Sequence, residues 1–413
     1  MNMKILHVNS GTDGGAALCA IRINKSLVAI DVESKMLFAN CDRIPDGVEG
    51  SIVHPDRDIW YSNPILGKIK HLLMRMPWYM DCEKMEKQVT NCKTYDVFTD
   101  IPYSNYTHLA YHPLIKWADI IHLHWVSGLI DYPTFFRKIK KPIVWTLHDE
   151  YPAIGLMHFC SEYSPLPVQL RDIDQYCREV KKKALSKNIN LHTVAISERM
   201  KELCLSSDIL NNYPCTLIHN GVDTEIFRPY LVEDAKIMEK HTKVFLFSSY
   251  NIWDKRKGLD RIIDALEMVD IEKKLVVLGD NHGTILPQAS FPVICKGLIK
   301  DEIELSKIYS SVDYFIQASF QEAFAQTPLE AMSCGIPVIS TPVSGASDLI
   351  RPFNGVLCKG FDSNSIKDGI MQALAKKYDS QQIRDYIIDK FDYSKIAKQY
   401  IDLYTSIIIR CAK

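Results

Sequence analysis

The sequence predicts an α/β protein made of two doubly wound, Rossmann-like domains facing a cleft. Three observations carry this. Short apolar runs alternate with helical stretches along nearly all of the 413 residues, the order that builds parallel sheets with helices on both faces. The runs are rich in Val, Ile and Leu, as strands buried on both faces require. The alternation is interrupted once, by a polar stretch at 227–240 that lacks strand character, and then resumes. At ~100–200 residues per domain the length suits two large domains.

The elements follow in order. Residues 3–9 (MKILHVN) form the first run, Gly11-Thr12-Asp13-Gly14-Gly15 a turn, and 16–30 a helix. Strand, glycine turn and helix open a doubly wound domain. Further strands are expected at 35–39, 120–124, 143–147, 191–196 and 216–219. After the interruption, 243–248 (KVFLFS) leads through a loop to a helix at 260–269, and strands follow at 275–279, 293–295, 314–317, 337–340 and 356–358. The tail 393–408 has apolar residues at helical spacing. The expected division is 1–228, 229–392, and a final helical segment 393–413 that is a candidate to pack back on the first domain.

Composition excludes several classes. Hydrophobic residues are 47% and charged residues 24%, enough to bury a core and too apolar for a disordered chain. Lys+Arg is 49 against Asp+Glu 50, so the clustered excess of basic charge that nucleic-acid binding needs is missing. None of the 12 Cys forms a C-x-x-C pair, and Met1-Asn2-Met3-Lys4 runs into a strand without a long apolar segment. A reduced, cytoplasmic protein is the expectation. No run approaches the ~18–20 apolar residues that span a bilayer.

The stretch 321–335 (QEAFAQTPLEAMSCG) is the most informative. Glu322 and Glu330 stand eight positions apart. Thr327-Pro328-Leu329-Glu330 reads as a helix start, with Thr327 as N-cap, Pro328 at the first helical position and Glu330 closing a capping box. Gly335 would end the helix. Glu322 then lies on a strand-to-helix loop at the carboxyl end of a strand, where open α/β sheets bind ligands. The helix start favours a phosphate, and a carboxylate beside it accepts hydrogen bonds from sugar hydroxyls. Glu330 reads equally as a cap alone. A second loop, Asp254-Lys255-Arg256-Lys257-Gly258, follows the first strand of the second domain. Arg can engage a diphosphate bidentately and Lys acts as a point charge. A third stretch, Val144-Trp145-Thr146-Leu147-His148-Asp149-Glu150, ends a buried strand with His148 toward the expected cleft.

These motifs resemble the retaining nucleotide-sugar glycosyltransferases of the GT-B fold, glycosyltransferase family 4. The E-x7-E pair Glu322 and Glu330 carries the resemblance. Gly14-Gly15, Lys257-Gly258, His219-Asn220-Gly221-Val222-Asp223 with Phe227 and Pro229, and the run from Glu330 through Gly335 to Ile339 support it. The resemblance implies that Glu322 contacts the donor sugar and Glu330 the nucleotide ribose. It puts Arg256 and Lys257 on the diphosphate, Gly14 and Gly15 near the phosphates and acceptor, and Phe324, Ala325, Gln326 and Thr327 in the donor-binding loop. It puts His148 near the reacting carbon, with Glu322 the other catalytic candidate. Asp149 and Glu150 are the carboxylates expected to orient His148 or the acceptor. Two positions depart from the family pattern. Ala325 stands where Gly is usual, and Ser248-Ser249-Tyr250 where a Gly-Arg pair is frequent.

The implied activity is transfer of a sugar, with retention, from a nucleotide diphosphate sugar to a saccharide or lipid-linked saccharide, in capsule, O-antigen or exopolysaccharide assembly. No metal and no cofactor beyond the nucleotide sugar as co-substrate are expected. An epimerase or hydrolase of the same build, or a non-catalytic two-lobed sugar-binding protein, are the alternatives. Other signals are weaker. His122 with His124, and His108 with His112, lack a third ligand at a recognisable spacing. Asp56 with Asp58 and Asp172 with Asp174 match D-x-D but fall in polar segments and read as solvated acids. No G-x-x-x-x-G-K-[ST] or G-x-G-x-x-G occurs, against P-loop and dehydrogenase readings. The segment 59–80 carries Lys68, Lys70 and Arg75 between aromatic ends. It is a candidate for peripheral contact with the inner face of the cytoplasmic membrane, or a helix packed on the first domain.

Overall fold

The computed structural model describes residues 3–56, 77–92, 99–162, 165–186, 190–231, 242–284 and 288–411. The chain divides into two compact units, Met1–Ile218 with Gln399–Lys413, and His219–Lys398. Each is built on one parallel sheet.

The first unit runs β1 (Lys4–Val8), α1 (Gly15–Val28), β2 (Glu33–Phe38), β3 (Gly50–Ile52), α2 (Pro77–Asn91), α3 (Pro113–Trp117), β4 (Ile120–Leu123), α4 (Tyr132–Lys138), β5 (Ile143–Leu147), α5 (Arg171–Leu185), β6 (Leu191–Ala195), α6 (Glu198–Ser206) and β7 (Cys215–Leu217). The sheet order is β3-β2-β1-β4-β5-β6-β7. Every residue of β4, β5 and β6 is buried, because helices cover both faces. Winding reverses between β1 and β4, where His7 pairs with His122. Ligands of such sheets sit outside the carboxyl ends of the strands at that reversal.

The second unit repeats the plan. It runs β8 (Lys243–Asn251), α7 (Leu259–Glu267), β9 (Lys273–Asp280), β10 (Val293–Gly297), α8 (Glu302–Tyr309), β11 (Tyr314–Gln317), α9 (Gln326–Ser333), β12 (Val338–Ser340), α10 (Ala346–Leu349), β13 (Gly355–Leu357), α11 (Ser363–Leu374) and α12 (Ser380–Phe391). The order β10-β9-β8-β11-β12-β13 reverses between β8 and β11. Phe245, Ile262, Leu266, Ile316 and Ile339 form its core. The last helix, α13 (Tyr393–Cys411), leaves this unit, and from Gln399 onward it belongs to the first. There Tyr400 and Tyr404 are fully buried.

Some expectations need correction. The strand β3 carries no apolar run and is absent from the strands the sequence predicts. Gly50 fits there because a Cβ would stand 2.3 Å from the Met36 carbonyl oxygen. The expected linker begins too early. Phe227 is fully buried, and its carbonyl accepts from Arg384 Nη1 at 3.0 Å and from the Ser333 hydroxyl. Residues 232–241 lie outside the described residues, as does 59–76 of the candidate membrane segment, whose last residues, 77–80, open α2. No helix among the described residues is long and apolar enough to cross a membrane.

Of the D-x-D acids, Asp172 is exposed as expected, Asp58 lies outside the described residues, and the other two are held by the fold. Asp174 is buried, accepts from the Leu156 N–H at 2.7 Å and pairs with Arg178 Nε at 2.9 Å. Asp56 ties the segment at 107 by accepting from the Thr107 N–H and hydroxyl.

Candidate functional site

In the second unit the loops after β8 and β11 meet at the reversal point. Three contacts stitch them. The Phe320 N–H donates to the Arg256 carbonyl at 2.8 Å. Arg261 Nη2 donates to the Ala318 carbonyl at 2.5 Å while its guanidinium lies 3.4 Å from the Phe320 ring centre. Lys257 Nζ pairs with Glu322 Oε1 at 2.5 Å, and Ser319 Oγ donates to the same oxygen at 2.8 Å. Arg256 turns to its own loop, giving Nε and Nη2 to Asp254 at 3.1 and 2.6 Å.

Gly258 closes the basic loop and starts α7 at φ +78°, where a Cβ would stand 2.5 Å from the Ala318 carbonyl oxygen. Gly258→Ala is therefore expected to cost roughly 1–3 kcal/mol, read as a fall in the denaturation midpoint. An unchanged midpoint would mean that the two loops can separate freely.

The start of α9 differs from the expected capping box. The helix begins at Gln326, with Ala325 as its N-cap and no side-chain cap. Thr327 is therefore inside the first turn, and Pro328 is its third residue. The box fails because the chain turns helical before Thr327. Glu330, 5% exposed, instead accepts from Tyr309 Oη at 3.1 Å. Gly335 ends the helix as expected, at φ +80°. Its N–H reaches the Met332 carbonyl at 2.9 Å, and the Ile336 N–H reaches Ala331 at 3.0 Å, the double bond of a Schellman end. Phe324 is buried, its ring centre 5.3 Å from that of His219 with the planes tilted by 49°, and its carbonyl accepts from Asn220 Nδ2 at 3.2 Å. Ala325, Gln326 and Thr327 stay half-buried at the helix tip.

In the first unit, Gly14 holds φ +87° as the N-cap of α1, and a Cβ on Gly14 or Gly15 would meet nothing within 4 Å. That leaves open space against the backbone. His148 follows β5 and is half-buried. Its Nε2 lies 3.0 Å from His124 Nδ1, and His124 Nε2 lies 2.8 Å from His7 Nδ1. Burial pushes the His7 pKa down to about 3 and that of His148 to about 4, and holds His122 and His124 well below the usual range.

The unfolded histidines take up protons near pH 6.5, while the folded ones do not until about 3–4. Stability is thus intact above pH 6.5 and lost as the pH falls toward 4, by about 1.4 kcal/mol per pH unit for each such group. A melting series across that window should show the loss. A flat profile would contradict neutral burial.

The carboxylates expected to orient His148 are otherwise engaged. Asp149 accepts from Trp125 Nε1 at 2.8 Å, from the Tyr151 N–H at 3.1 Å and pairs with His158 Nδ1 at 2.6 Å. Glu150 accepts from the Cys160 N–H at 3.0 Å. The neighbour of His148 is His124, which sequence reasoning set aside. The third imidazole beside His122 and His124 is His7, on the adjacent parallel strand. The signal lay in the pairing of β1 with β4, which one sequence does not print.

Two family models match the chain: Glycosyltransferase Family 4 over residues 88–226 and Glycosyl transferases group 1 over 233–390. The chain belongs to the GT-B glycosyltransferases of family 4. This family-4 chain is 24% identical to a glycosyltransferase of Methanocaldococcus jannaschii over 52% of its own length and 59% of the relative's. It is 23% identical to the Escherichia coli UDP-Gal:alpha-D-GlcNAc-diphosphoundecaprenol alpha-1,3-galactosyltransferase, over 69% of its length and 80% of that protein. Matches to several curated relatives span only about half of them, such as the Staphylococcus aureus capsular polysaccharide glycosyltransferase CapM at 50% of its length and 45% of the present chain, with 24% identity. Among solved structures, the sucrose-phosphate synthase of Thermosynechococcus elongatus shares the fold with TM-score 0.68 at 19% identity, covering 99% of this chain and all of that one. Anabaena HepE in complex with UDP gives 0.64 at 17%, covering 98% and 100%.

Proposed function

We propose that this family-4 transferase moves a sugar, with retention, from a nucleoside diphosphate sugar to a lipid-linked saccharide during cell-surface polysaccharide assembly. The observation that carries the reading is the meeting of Lys257 and Glu322 at 2.5 Å, on loops from the carboxyl ends of β8 and β11. A cation for a diphosphate and a carboxylate for hydroxyls stand side by side where such sheets bind ligands. The helix tip at 325–327 adds N–H donors beside them. The names of the relatives support the wider setting: a diphosphoundecaprenol-linked acceptor in one, a capsule in another, and UDP-glucose bound in solved HepE.

In this reading Lys257 neutralises the leaving diphosphate, aided by Arg256. Glu322 grips the hexose hydroxyls. Glu330, one oxygen on Tyr309, takes the ribose. Gly14 and Gly15 leave room for phosphate or acceptor beside α1. His148 donates a hydrogen bond near the reacting carbon. Same-face displacement lets the departing diphosphate accept the acceptor's proton, so the protein contributes position and electrostatics.

A thermal-shift screen against UDP, GDP, ADP and their sugars tests this. One base series should raise the midpoint by several degrees, since a ligand at ~100 times its Kd adds about 2.7 kcal/mol. No shift with any of them would overturn the reading.

A further inference from the structure

The first unit holds a string of imidazoles of which the proposed reaction uses only His148. His7 stands on β1, His122 on β4, His124 just after it and His148 just after β5. The first three are at most 1% exposed. Nitrogens of His7, His122 and His124 come within 4.8 Å of one another, which suggests a metal cage. The hydrogen bonds argue for something else. His122 directs Nε2 to Thr146 Oγ1 at 2.8 Å and Nδ1 to Tyr404 Oη at 2.7 Å. His124 has a histidine on each nitrogen, at 2.8 and 3.0 Å. A buried dication would also need charge compensation, and the three residues include no carboxylate.

The string has a direction. A neutral imidazole has one N–H donor and one acceptor nitrogen, so His7, His124 and His148 must all point their protons the same way along it. If the protons point inward, His7 carries its hydrogen on Nε2, which is buried with no partner. In the opposite direction the same nitrogen is left as a bare acceptor, and buried orphaned N–H donors are rarer than under-satisfied acceptors. If they point outward, His7 Nδ1–H donates to His124 Nε2, and His124 Nδ1–H donates to His148 Nε2. The last proton then sits on His148 Nδ1, which makes no hydrogen bond among the described residues and belongs to a half-buried ring. Trp145 Nε1 donates to the His124 carbonyl at 3.1 Å and anchors the middle of the string.

We propose that His7 and His124 are positioning residues that hold His148 as the neutral imidazole with its proton on Nδ1. His148 then presents a fixed N–H donor instead of the Nε2–H form that free histidine prefers. The consequence for transfer rests on the role given to His148 above. The tautomer itself does not.

The test is nitrogen NMR of the full chain labelled with 15N-histidine. The wild type should show His148 with a protonated Nδ1 and a bare Nε2. His124→Phe removes the donor and should move His148 toward Nε2–H. His124→Gln keeps an N–H and should preserve Nδ1–H. With the nucleotide sugar selected by the screen, His124→Phe should lower kcat roughly 10- to 100-fold, the scale felt when a histidine loses its orienting partner, at unchanged KM. His124→Gln should recover most of it. If His124→Phe does not fold, His7→Phe with the same spectrum decides.

A wild-type His148 protonated on Nε2 overturns the inference, as does a tautomer that stays unchanged in His124→Phe. So does one equivalent of zinc retained by the purified chain and lost in His7→Ala. Native transfer by His148→Ala would instead refute the catalytic reading of His148, and leave the tautomer to the spectrum.

Discussion

Replacing Glu322 by Gln is expected to cut the rate of sugar transfer by roughly 100- to 1000-fold, the scale of losing one electrostatic contact that strengthens in the transition state. Glutamine keeps the length and volume, and its carbonyl can still accept from Ser319 Oγ, now 2.8 Å from Glu322 Oε1. The charge is lost, and with it the grip on hydroxyls of a sugar that becomes electron-poor as its bond to the diphosphate breaks. Affinity for the bare nucleoside diphosphate should hold or rise slightly. Lys257, now paired with the carboxylate at 2.5 Å, would no longer be shared with it. Steady-state rates and calorimetric Kd for the same variant separate the two effects. A native rate, or a rate loss matched by an equal loss of nucleotide affinity, would remove Glu322 from the sugar.

Lys257→Ala should act the other way round. Losing the ammonium that faces the diphosphate is expected to weaken nucleoside diphosphate binding by about 2–3 kcal/mol, roughly 30- to 150-fold in Kd. The effect should shrink at high salt, because Lys257 is partly exposed to screening. Arg256→Ala should cost less. Its Nε and Nη2 are held by Asp254 at 3.1 and 2.6 Å, so part of its charge is already answered. Titration of the two variants with the nucleotide found by the screen checks the order. An Arg256 effect larger than that of Lys257 would mean that the guanidinium leaves Asp254 to bind ligand.

Much of the fold was legible because parallel strands are apolar on both faces and short. The runs at 143–147 and 314–317 are the observed strands β5 and β11 residue for residue. Three-residue β3 was not, since register with Met36 and room for Gly50 define it, not an apolar run. Phe227 reads as linker in the sequence because its neighbours Arg228 and Pro229 are polar or turn-forming, while in the fold its ring is buried and lies edge-on to Tyr309 of α8 at 6.2 Å.

In the candidate site, the loops of Lys257 and Glu322 could be placed from their strands, since strand ends set which loops converge. Which cation faces which acid could not. Arg256 and Lys257 are adjacent in sequence, and only the turn closed by Gly258 separates their directions. Asp149 looked like the partner of His148 because it is next to it. In the fold it serves Trp125, Tyr151 and His158, and the partner is His124, which reaches His148 across the sheet from β4 to β5.

A crystal structure of the full chain with its nucleoside diphosphate sugar tests the central claim most directly. Lys257 Nζ should leave Glu322 and lie within hydrogen-bonding distance of a phosphate oxygen, with Glu322 on a hexose hydroxyl. A diphosphate bound elsewhere, with Lys257 and Glu322 still joined, would contradict the account.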